Sequence, residues 1–346
     1  MSEGAEDRGV LTRDTETMTQ NIIIWLSRPL SAFIVLANIF LILGILFNRR
    51  LRNTTNWFFL SLLFADLLAG LFLPNIPELS STKDLNYHLC FFNYVAPNFI
   101  FLAFLANLLV VHYVKYVFII RSLHYHRSWV YRWPGFYIFV AWTAPLIFAC
   151  LPLAWNQWRP HANCSFGLVF PIPYLYLETY GFLIPSILAM GFMCIQVLCT
   201  SRRQLKDITR LLHSVNQGQP PSELEQQLEL RNAKKIASVS FIFVACWVPY
   251  IVCLNISLLS IDHKHNINPL ITPIVTCIGT SSAAALPVIL SLGNRQYTQF
   301  WTDMATKCCG GCCQRQGRKE RKAKAKAHLP HGHHCPAEAD LNGAPG

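Results

Sequence analysis

The stretch HLCFFNYVAPNFIFLAFLANLLVVHYVKYVFI, residues 88–119, decides the fold class of this chain. It contains no Asp, Glu or Arg, and its single lysine, Lys115, comes close to its end. About 20 mostly apolar residues are enough for a helix to cross the hydrocarbon core of a bilayer. Because lipid offers the backbone no hydrogen-bond partners, a segment of this kind crosses as a helix. The stretch is therefore predicted to be a transmembrane helix.

Further segments of the same character recur along the chain. Hydrophobic residues make up 53% of the 346 residues and charged residues only 14%, whereas a soluble domain has about 25% charged residues. The short alternating segments of a membrane β-barrel do not occur. We therefore predict an all-α fold, a bundle of seven transmembrane helices. The predicted spans are 28–48, 57–77, 88–119, 134–154, 173–200, 235–261 and 268–292.

The distribution of basic residues predicts the orientation of this bundle. Lysine and arginine cluster after the first, third and fifth spans and in the tail, and basic loops stay in the cytoplasm. The N-terminus is therefore expected outside and the tail inside. The net charge of +11 follows from this bias and from a polybasic tail that faces anionic lipid, so nucleic-acid binding is not expected. The clustered loop residues are Arg49, Arg50, Arg52, Arg121, Arg127, Arg132, Arg202, Arg203, Lys206 and Arg210.

Four regions are predicted along the chain. An extracellular N-terminus covers 1–27, the seven-helix domain 28–292, and an amphipathic membrane-surface helix 293–307. Aromatic residues spaced i, i+3 and i+4 give that helix one apolar face. The cytoplasmic tail, 308–346, contains a cysteine cluster and a polybasic segment whose composition is typical of disorder.

The 13 cysteines fall into three groups. Cys90 begins the third span and Cys164 lies between the fourth and fifth spans, so both face an oxidising compartment and a disulfide between them is predicted. Cysteines inside the spans are expected to be small packing residues. A third group, CCGGCC, has basic membrane-proximal flanks that favour S-palmitoylation over the alternative, a zinc site. Its cysteines are Cys308, Cys309, Cys312 and Cys313.

Single residues in the spans resemble the rhodopsin-like class of G-protein-coupled receptors. They are Asn38 in LANIF, Asp66 in SLLFADLLAG, Trp142, Pro185 and the CWVP sequence at 246–249. Asp66 matches a position that often holds sodium, but the usual set of polar partners is incomplete: Phe104 and Leu286 replace two of them and Ser282 remains. A polar network between packed helices is the favoured role, and sodium is the alternative.

Four longer stretches narrow the resemblance to the bile acid receptors within that class: YVAPNFIFLAFLANLLVVH at 94–112, WNQWRPHANCS at 155–165, FPIPYLYLETYG at 170–181 and SSAAALPV at 281–288. The resemblance implies a plasma-membrane receptor for bile acids or bile alcohols. It also implies that the receptor activates the stimulatory heterotrimeric G protein and raises cyclic AMP. Membrane lipid and arrestin are further expected partners, and neither a cofactor nor enzymatic activity is expected. A receptor for another lipid or steroid, or a weakly signalling decoy, remains the alternative.

Glu178 is the clearest candidate for a ligand contact, because an ionisable group inside a span is costly and indicates function. Counted from Pro173 at 1.5 Å per residue, it lies about 8 Å below the outer end of the fifth helix. Its carboxylate can accept a hydrogen bond from a steroid hydroxyl. The alternative is a water-solvated residue near the lipid headgroups.

The other candidates share helix faces with one another. Their spacings are i, i+4, i+7 on the third helix and i, i+3, i+7, i+10 on the sixth. In the bile acid receptors the matching positions line the steroid pocket, whereas without the resemblance ordinary helix packing would be favoured. With Glu178, the predicted ligand-binding residues are Tyr94, Asn98, Phe101, Leu175, Trp247, Tyr250, Leu254, Ser257 and Thr280.

The cytoplasmic end of the third helix departs from the class. Where the class has acidic-Arg-Tyr, this chain has Val114, Lys115 and Tyr116. A lock between an arginine and its neighbouring acid is therefore absent, and a lysine offers a point charge instead of a planar fork. Retained coupling to the G protein is favoured over lost coupling.

Two prolines are expected to shape the helices that move. Pro249 in the sixth helix and Pro287 in the seventh each leave a backbone carbonyl without its helical donor and permit a kink. Pro287 is what remains here of the usual Asn-Pro-x-x-Tyr motif. The sixth helix is expected to pivot near Trp247 during activation.

Overall fold

A computed structural model describes residues 3–48, 53–72, 86–120, 127–159, 164–214, 238–256 and 271–293. The chain divides into two units, Met1–Thr298 and Gln299–Gly346, and all described residues belong to the first. The predicted cysteine cluster, the polybasic tail and the membrane-surface helix beyond residue 293 lie outside the described residues.

Seven long helices run through the described ranges, and those ranges contain no strand. Six of the helices are long and apolar enough to cross a membrane, and the seventh contains the shorter apolar stretch Ile274–Ile289. The predicted all-α fold is confirmed. The helices are α1, Glu3–Phe47; α2, Thr54–Phe72; α3, Tyr87–Ile120; α4, Pro134–Ala154; α5, Ile172–Tyr176 with Leu177–Leu183 and Ile184–Ser214; α6, Ser238–Ile256; and α7, Ile271–Ser281 with Ser282–Ala284 and Ala285–Gly293.

The ends of several helices differ from the prediction, and α5, for example, continues to Ser214 rather than ending at residue 200. α1 begins at Glu3 rather than at residue 28, although its membrane-length part is Ile24–Phe47. Hydropathy locates the hydrocarbon core, but a helix can continue beyond it into polar residues, because its backbone hydrogen bonds are made within the helix. α2 begins at Thr54 because the side-chain oxygen of Asn53 accepts the Asn56 N–H at 2.8 Å and caps the helix.

α3 is the central helix and packs against α2, α4 and α5. Leu102, Leu105 and Leu108 on α3 are fully buried in the main apolar core. The predicted disulfide is confirmed: Cys90 at the start of α3 is bonded to Cys164, with 5.7 Å between their Cα atoms. The bond fixes the segment before α5 against the Tyr87 end of α3.

Polar side chains also join the helices on the α1–α2 side. Asn38 Nδ2 donates to Asp66 Oδ2 at 2.8 Å, and the Asp66 side chain is fully buried. Ser61 Oγ bonds Asn107 Oδ1 at 2.6 Å and accepts from Trp142 Nε1 at 2.9 Å. Asp66 therefore takes part in a polar contact between packed helices, as its favoured role predicts.

Candidate functional site

Glu178 lies in a wide turn of α5, where Leu177–Leu183 form a π-helix. The Ile184 N–H donates to the Thr179 carbonyl five residues back, instead of four. Pro185 has no N–H for the carbonyl of Gly181 and its ring crowds that carbonyl, which favours a wider turn here. A π-turn inserts an extra residue into the helix, and such turns are frequent at functional sites. The turn therefore sets the direction of the Glu178 side chain.

The half-buried Glu178 carboxylate has partners on two neighbouring helices. The side chain of Asn98 on α3 lies close to it. The Asn98 amide donates from Nδ2 to the Tyr174 hydroxyl at 2.8 Å. Tyr250 on α6 is close enough to interact electrostatically with the carboxylate. Glu178 thus joins α3, α5 and α6 in one polar group.

An aromatic cluster lies at the α3–α6–α7 contact. The ring centroids of Phe101 and Trp247 are 4.4 Å apart, and those of Trp247 and Tyr250 are 5.6 Å apart. α7 approaches through Gly279, where an added Cβ would lie 2.8 Å from a ring atom of Trp247. Trp247 is therefore in contact with side chains of α3 and α6 and with the backbone of α7.

A second group of rings surrounds Tyr94, nearer the Tyr87 end of α3. The Tyr94 ring packs edge-on against Phe166 and Phe170, with centroids 6.1 and 6.2 Å away. Phe166 and Phe170 follow Cys164 closely in sequence, so the disulfide places them against α3. Phe170 and Leu175 belong to the main apolar core, and Leu254 of α6 packs against it. Phe166 is exposed.

The structure describes nine of the ten predicted ligand-binding residues. Tyr94, Asn98, Phe101, Leu175, Glu178, Trp247, Tyr250 and Leu254 lie in the polar group or the apolar core just described. Thr280 is buried on α7, but its hydroxyl donates to the Cys277 carbonyl at 2.9 Å. Ser257 lies outside the described residues. Their binding of a ligand stays a prediction.

Three residues of this region were not predicted from the sequence: Tyr174, Phe166 and Phe170. Tyr174 is fully buried and stacks on Phe170 with centroids 5.4 Å apart. Its position four residues before Glu178 puts the two side chains on one helix face, which is a signal that the sequence does contain. For Phe166 and Phe170 the only sequence signal is their nearness to Cys164.

The predicted switch residues lie in two places. Lys115 is buried on α3 with its Nζ 5.4 Å from the Phe59 ring centroid and 5.8 Å from that of Phe118. Tyr116 packs beside Ile119. A lysine ammonium over aromatic faces is stabilised by cation–π attraction. The cation of Lys115 is therefore held between α2 and its own helix.

Of the two prolines, only Pro287 lies next to a visible change in helix geometry. α7 tightens to a 3-10 turn at Ser282–Ala284 just before Pro287, which cannot donate to the Ala283 carbonyl. Pro249 lies in α6, two residues after Trp247. Their part in activation stays a prediction.

A cavity of about 380 Å³ lies elsewhere, between α1, α2 and α4. None of the predicted ligand-binding residues lines it. Three of the predicted ligand-binding residues, Phe101, Leu175 and Trp247, are all less than 9% exposed. A ligand that contacts these three side chains therefore has to enter the buried core. The cavity is lined by Ile42, Leu46, Trp57, Leu60, Ser61, Phe64, Ile138 and Trp142.

Comparison with known proteins gives consistent results. Residues 37–290 match the family described as 7 transmembrane receptor (rhodopsin family). The G-protein coupled bile acid receptor 1 of Homo sapiens is 42% identical over 298 residues, which cover 85% of this chain and 88% of that protein. The Bos taurus protein of the same name is 43% identical over 284 residues, 82% of this chain and 84% of its own. For Mus musculus the identity is 39% over 323 residues, 92% and 95% of the two chains.

Proposed function

Since the chain belongs to the rhodopsin family of seven-transmembrane receptors, we propose that it is a cell-surface receptor for bile acids or bile alcohols. It activates the stimulatory G protein and raises cyclic AMP. Membership of the family makes it a multi-pass plasma-membrane receptor with a ligand and a G protein as partners, and not an enzyme. The observation that carries the proposal is its likeness, over most of its length, to receptors named for bile acids.

The chemistry around Glu178 fits an amphipathic steroid. The flat hydrocarbon body lies against Phe101, Trp247 and Leu254, and a ring hydroxyl donates to the carboxylate. Tyr250 and Asn98 can donate or accept further hydrogen bonds. A ligand that displaces Asn98 from Glu178 without offering a hydroxyl would leave a buried acceptor unpaired, at a cost of about 1–3 kcal/mol. The acidic end of the ligand points away from Glu178, because two anions repel.

The same contacts connect the ligand to the helices that move. Trp247 touches α3 and α7, so a steroid that enters beside Phe101 changes how α6 packs. The outward tilt of α6 is a two-state change, and the steroid shifts it by binding better to the open state. A cytoplasmic surface that includes Lys115 and Tyr116 then accepts the G protein.

The orientation follows from the positive-inside rule, which places the N-terminus outside the cell. An epitope tag at Met1 should be reached by antibody on intact cells, whereas a tag at Gly346 should need permeabilised cells. The palmitoylated cysteines at 308–313, arrestin and membrane lipid complete the proposed partners and modifications. The opposite tag pattern would overturn the orientation.

The function is tested with a panel of bile acids and bile alcohols on cells that express the full chain. We expect a dose-dependent rise in cyclic AMP for the hydroxylated members. Surface expression is measured in the same cells. No response to any member, with the chain at the surface, would overturn the proposed signalling.

The decoy remains the second candidate, since Lys115 and Val114 replace the arginine and acid of the class. A measurement of ligand binding separates a decoy, which binds bile acids without signalling, from a protein that does not bind them. If bile acids raise the melting temperature of the purified chain but leave cyclic AMP unchanged, the chain is a decoy. If both measurements respond, the decoy is excluded.

A further inference from the structure

His112 is a buried imidazole that connects three helices. It lies on α3 and is 4% exposed. Its Nε2 atom hydrogen-bonds the Oγ of Ser240 on α6, and its Nδ1 atom lies 3.5 Å from the Sγ of Cys194 on α5. Both ring nitrogens therefore have partners, each on a different helix. Cys194 was expected only to pack, and its thiol takes part in a polar contact instead.

The position of this contact within the helices is informative. Ser240 precedes Trp247 by two helical turns, about 10 Å along α6. His112 comes one turn before Lys115, toward the same end of the bundle. The contact thus lies between the expected pivot at Trp247 and the Ser238 end of α6, in the half of the helix that has to swing out.

Among the described residues, the surroundings of the contact are apolar. Val111, Val239 and Phe243 beside it are each at most 2% exposed. If α6 tilts outward, Ser240 moves away from His112, and a buried polar group that loses its partner is destabilised. The hydrogen bond therefore opposes the tilt, while the weaker contact with Cys194 can persist on α5.

We propose that His112 holds α6 closed against α3 in the resting receptor through Ser240. It does so in a chain whose residues 114–116 lack the acid of the usual lock. The proposal rests on the opening of α6, which is part of the proposed function, but not on the identity of the ligand. Removing the Ser240 hydroxyl should raise the ratio of open to closed receptor about fivefold, as the loss of one ordinary hydrogen bond predicts.

The test measures the position of α6 directly in the purified full chain without ligand. Spin-labelled non-canonical residues replace Trp133 and Ser238, which are both exposed at the ends of α4 and α6. The distance distribution is compared for the wild type, Ser240→Ala and Ser240→Thr. We expect a longer distance to gain population in Ser240→Ala, and Ser240→Thr to match the wild type because it keeps the hydroxyl.

Ser31→Ala is the matched control. Ser31 also makes a hydroxyl hydrogen bond between helices, donating from α1 to the Gly70 carbonyl of α2 at 2.5 Å, but it has no part in holding α6. It should leave the distance unchanged. An unchanged distribution in Ser240→Ala, or an equal shift in Ser31→Ala, would overturn the proposal.

A double variant and a cellular readout complete the test. Because both residues act through one bond, His112→Phe with Ser240→Ala should open α6 no further than His112→Phe alone. Additive opening would contradict a shared bond. Cyclic AMP is measured in parallel: opening without any cyclic AMP response keeps the His112 proposal and refutes the proposed signalling. A cyclic AMP response to ligand, with unchanged spin-label distances in the variants, would support the proposed signalling and refute the His112 proposal.

Discussion

At the scale of single residues, the sequence predicts that Glu178 is functional but does not predict its surroundings in the fold. Its place inside an apolar helix predicts a functional group, but the sequence gives no sign of its partners. Those partners come from α3 and α6, far away along the chain. Tyr174 could have been predicted, because it lies four residues before Glu178 on the same helix. Asn98 is predicted because it shares a helix face with Tyr94 and Phe101 and matches a pocket position of the bile acid receptors, but its bond to Tyr174 depends on the tertiary contact.

The double role of Asn98 leads to the first prediction. Asn98→Leu removes the amide that donates to Tyr174 and lies close to Glu178, so we expect at least a tenfold loss of bile acid potency and a lower melting temperature. Tyr174→Phe removes only the hydroxyl that accepts from Asn98 and should cost much less, because a hydrogen bond contributes about 1 kcal/mol. Both are measured as cyclic AMP dose–response curves and thermal melts of the purified chain. Equal effects of the two variants would contradict the double role.

Lys115 is the residue on which coupling should depend most. Lys115→Ala removes the cation that stands where the class has arginine, so we expect most of the cyclic AMP response to be lost. Bile acid binding, measured by thermal shift, should remain within about twofold, because Lys115 lies at the other end of α3 from Tyr94. Phe118→Leu is the control for its aromatic neighbours and should keep the charge and the coupling. Full signalling by Lys115→Ala would show that coupling to the G protein depends on another residue.

At the scale of helices and loops, hydropathy locates the spans well but their ends poorly. α4 occupies its predicted range, 134–154, whereas α1 continues to Glu3 in polar residues. The start of α2 depends on the Asn53 cap, and the π-turn of α5 on local backbone geometry around Pro185. Hydropathy reports transfer to lipid and contains no information on capping or on hydrogen-bond register.

The contact of α6 with α7 gives a prediction at this scale. Gly279→Ala places a methyl group 2.8 Å from the Trp247 ring, so the ring or the helix has to shift. We expect a loss of 1–3 kcal/mol in stability, a typical cost of overpacking a core, and an altered ligand response. Gly135→Ala in α4 is the matched control, since nothing lies within 4 Å of its added Cβ. The melting temperatures of both variants are measured. Similar values would mean that the Trp247 ring moves aside without a loss of stability.

The disulfide gives a second prediction at this scale. Cys90→Ala should release the segment with Phe166 and Phe170 from α3, and loss of a native disulfide typically costs about 2–5 kcal/mol. Surface expression and bile acid potency should both fall. Cys90→Ala combined with Cys164→Ala should be no worse than either alone, because all three lack the same bond. A clearly worse double variant would mean that the cysteines have separate roles.

At the scale of the whole molecule, composition and apolar segments predict a seven-helix membrane bundle, and the fold confirms it. Burial at the site was not predictable in the same way. A sequence shows which residues share a helix face, but it does not show that Phe101, Leu175 and Trp247 are buried while Glu178 is only half-buried. Because the proposed ligand contacts are buried, we expect ligand binding and the movement of α6 to be parts of one rearrangement.

The claim that Glu178 recognises a steroid hydroxyl is tested most directly by changing both the ring hydroxyl of the ligand and the Glu178 side chain. Cyclic AMP potency is measured for two bile acids that differ only in one ring hydroxyl, on the wild type and on Glu178→Gln. Tyr176→Phe, an exposed change on the same helix, is the control. We expect the hydroxyl to improve potency about tenfold or more on the wild type, as for a hydrogen bond to a charged group, and much less on Glu178→Gln. An equal benefit of the hydroxyl on both receptors, for every ring position tried, would contradict the role of Glu178.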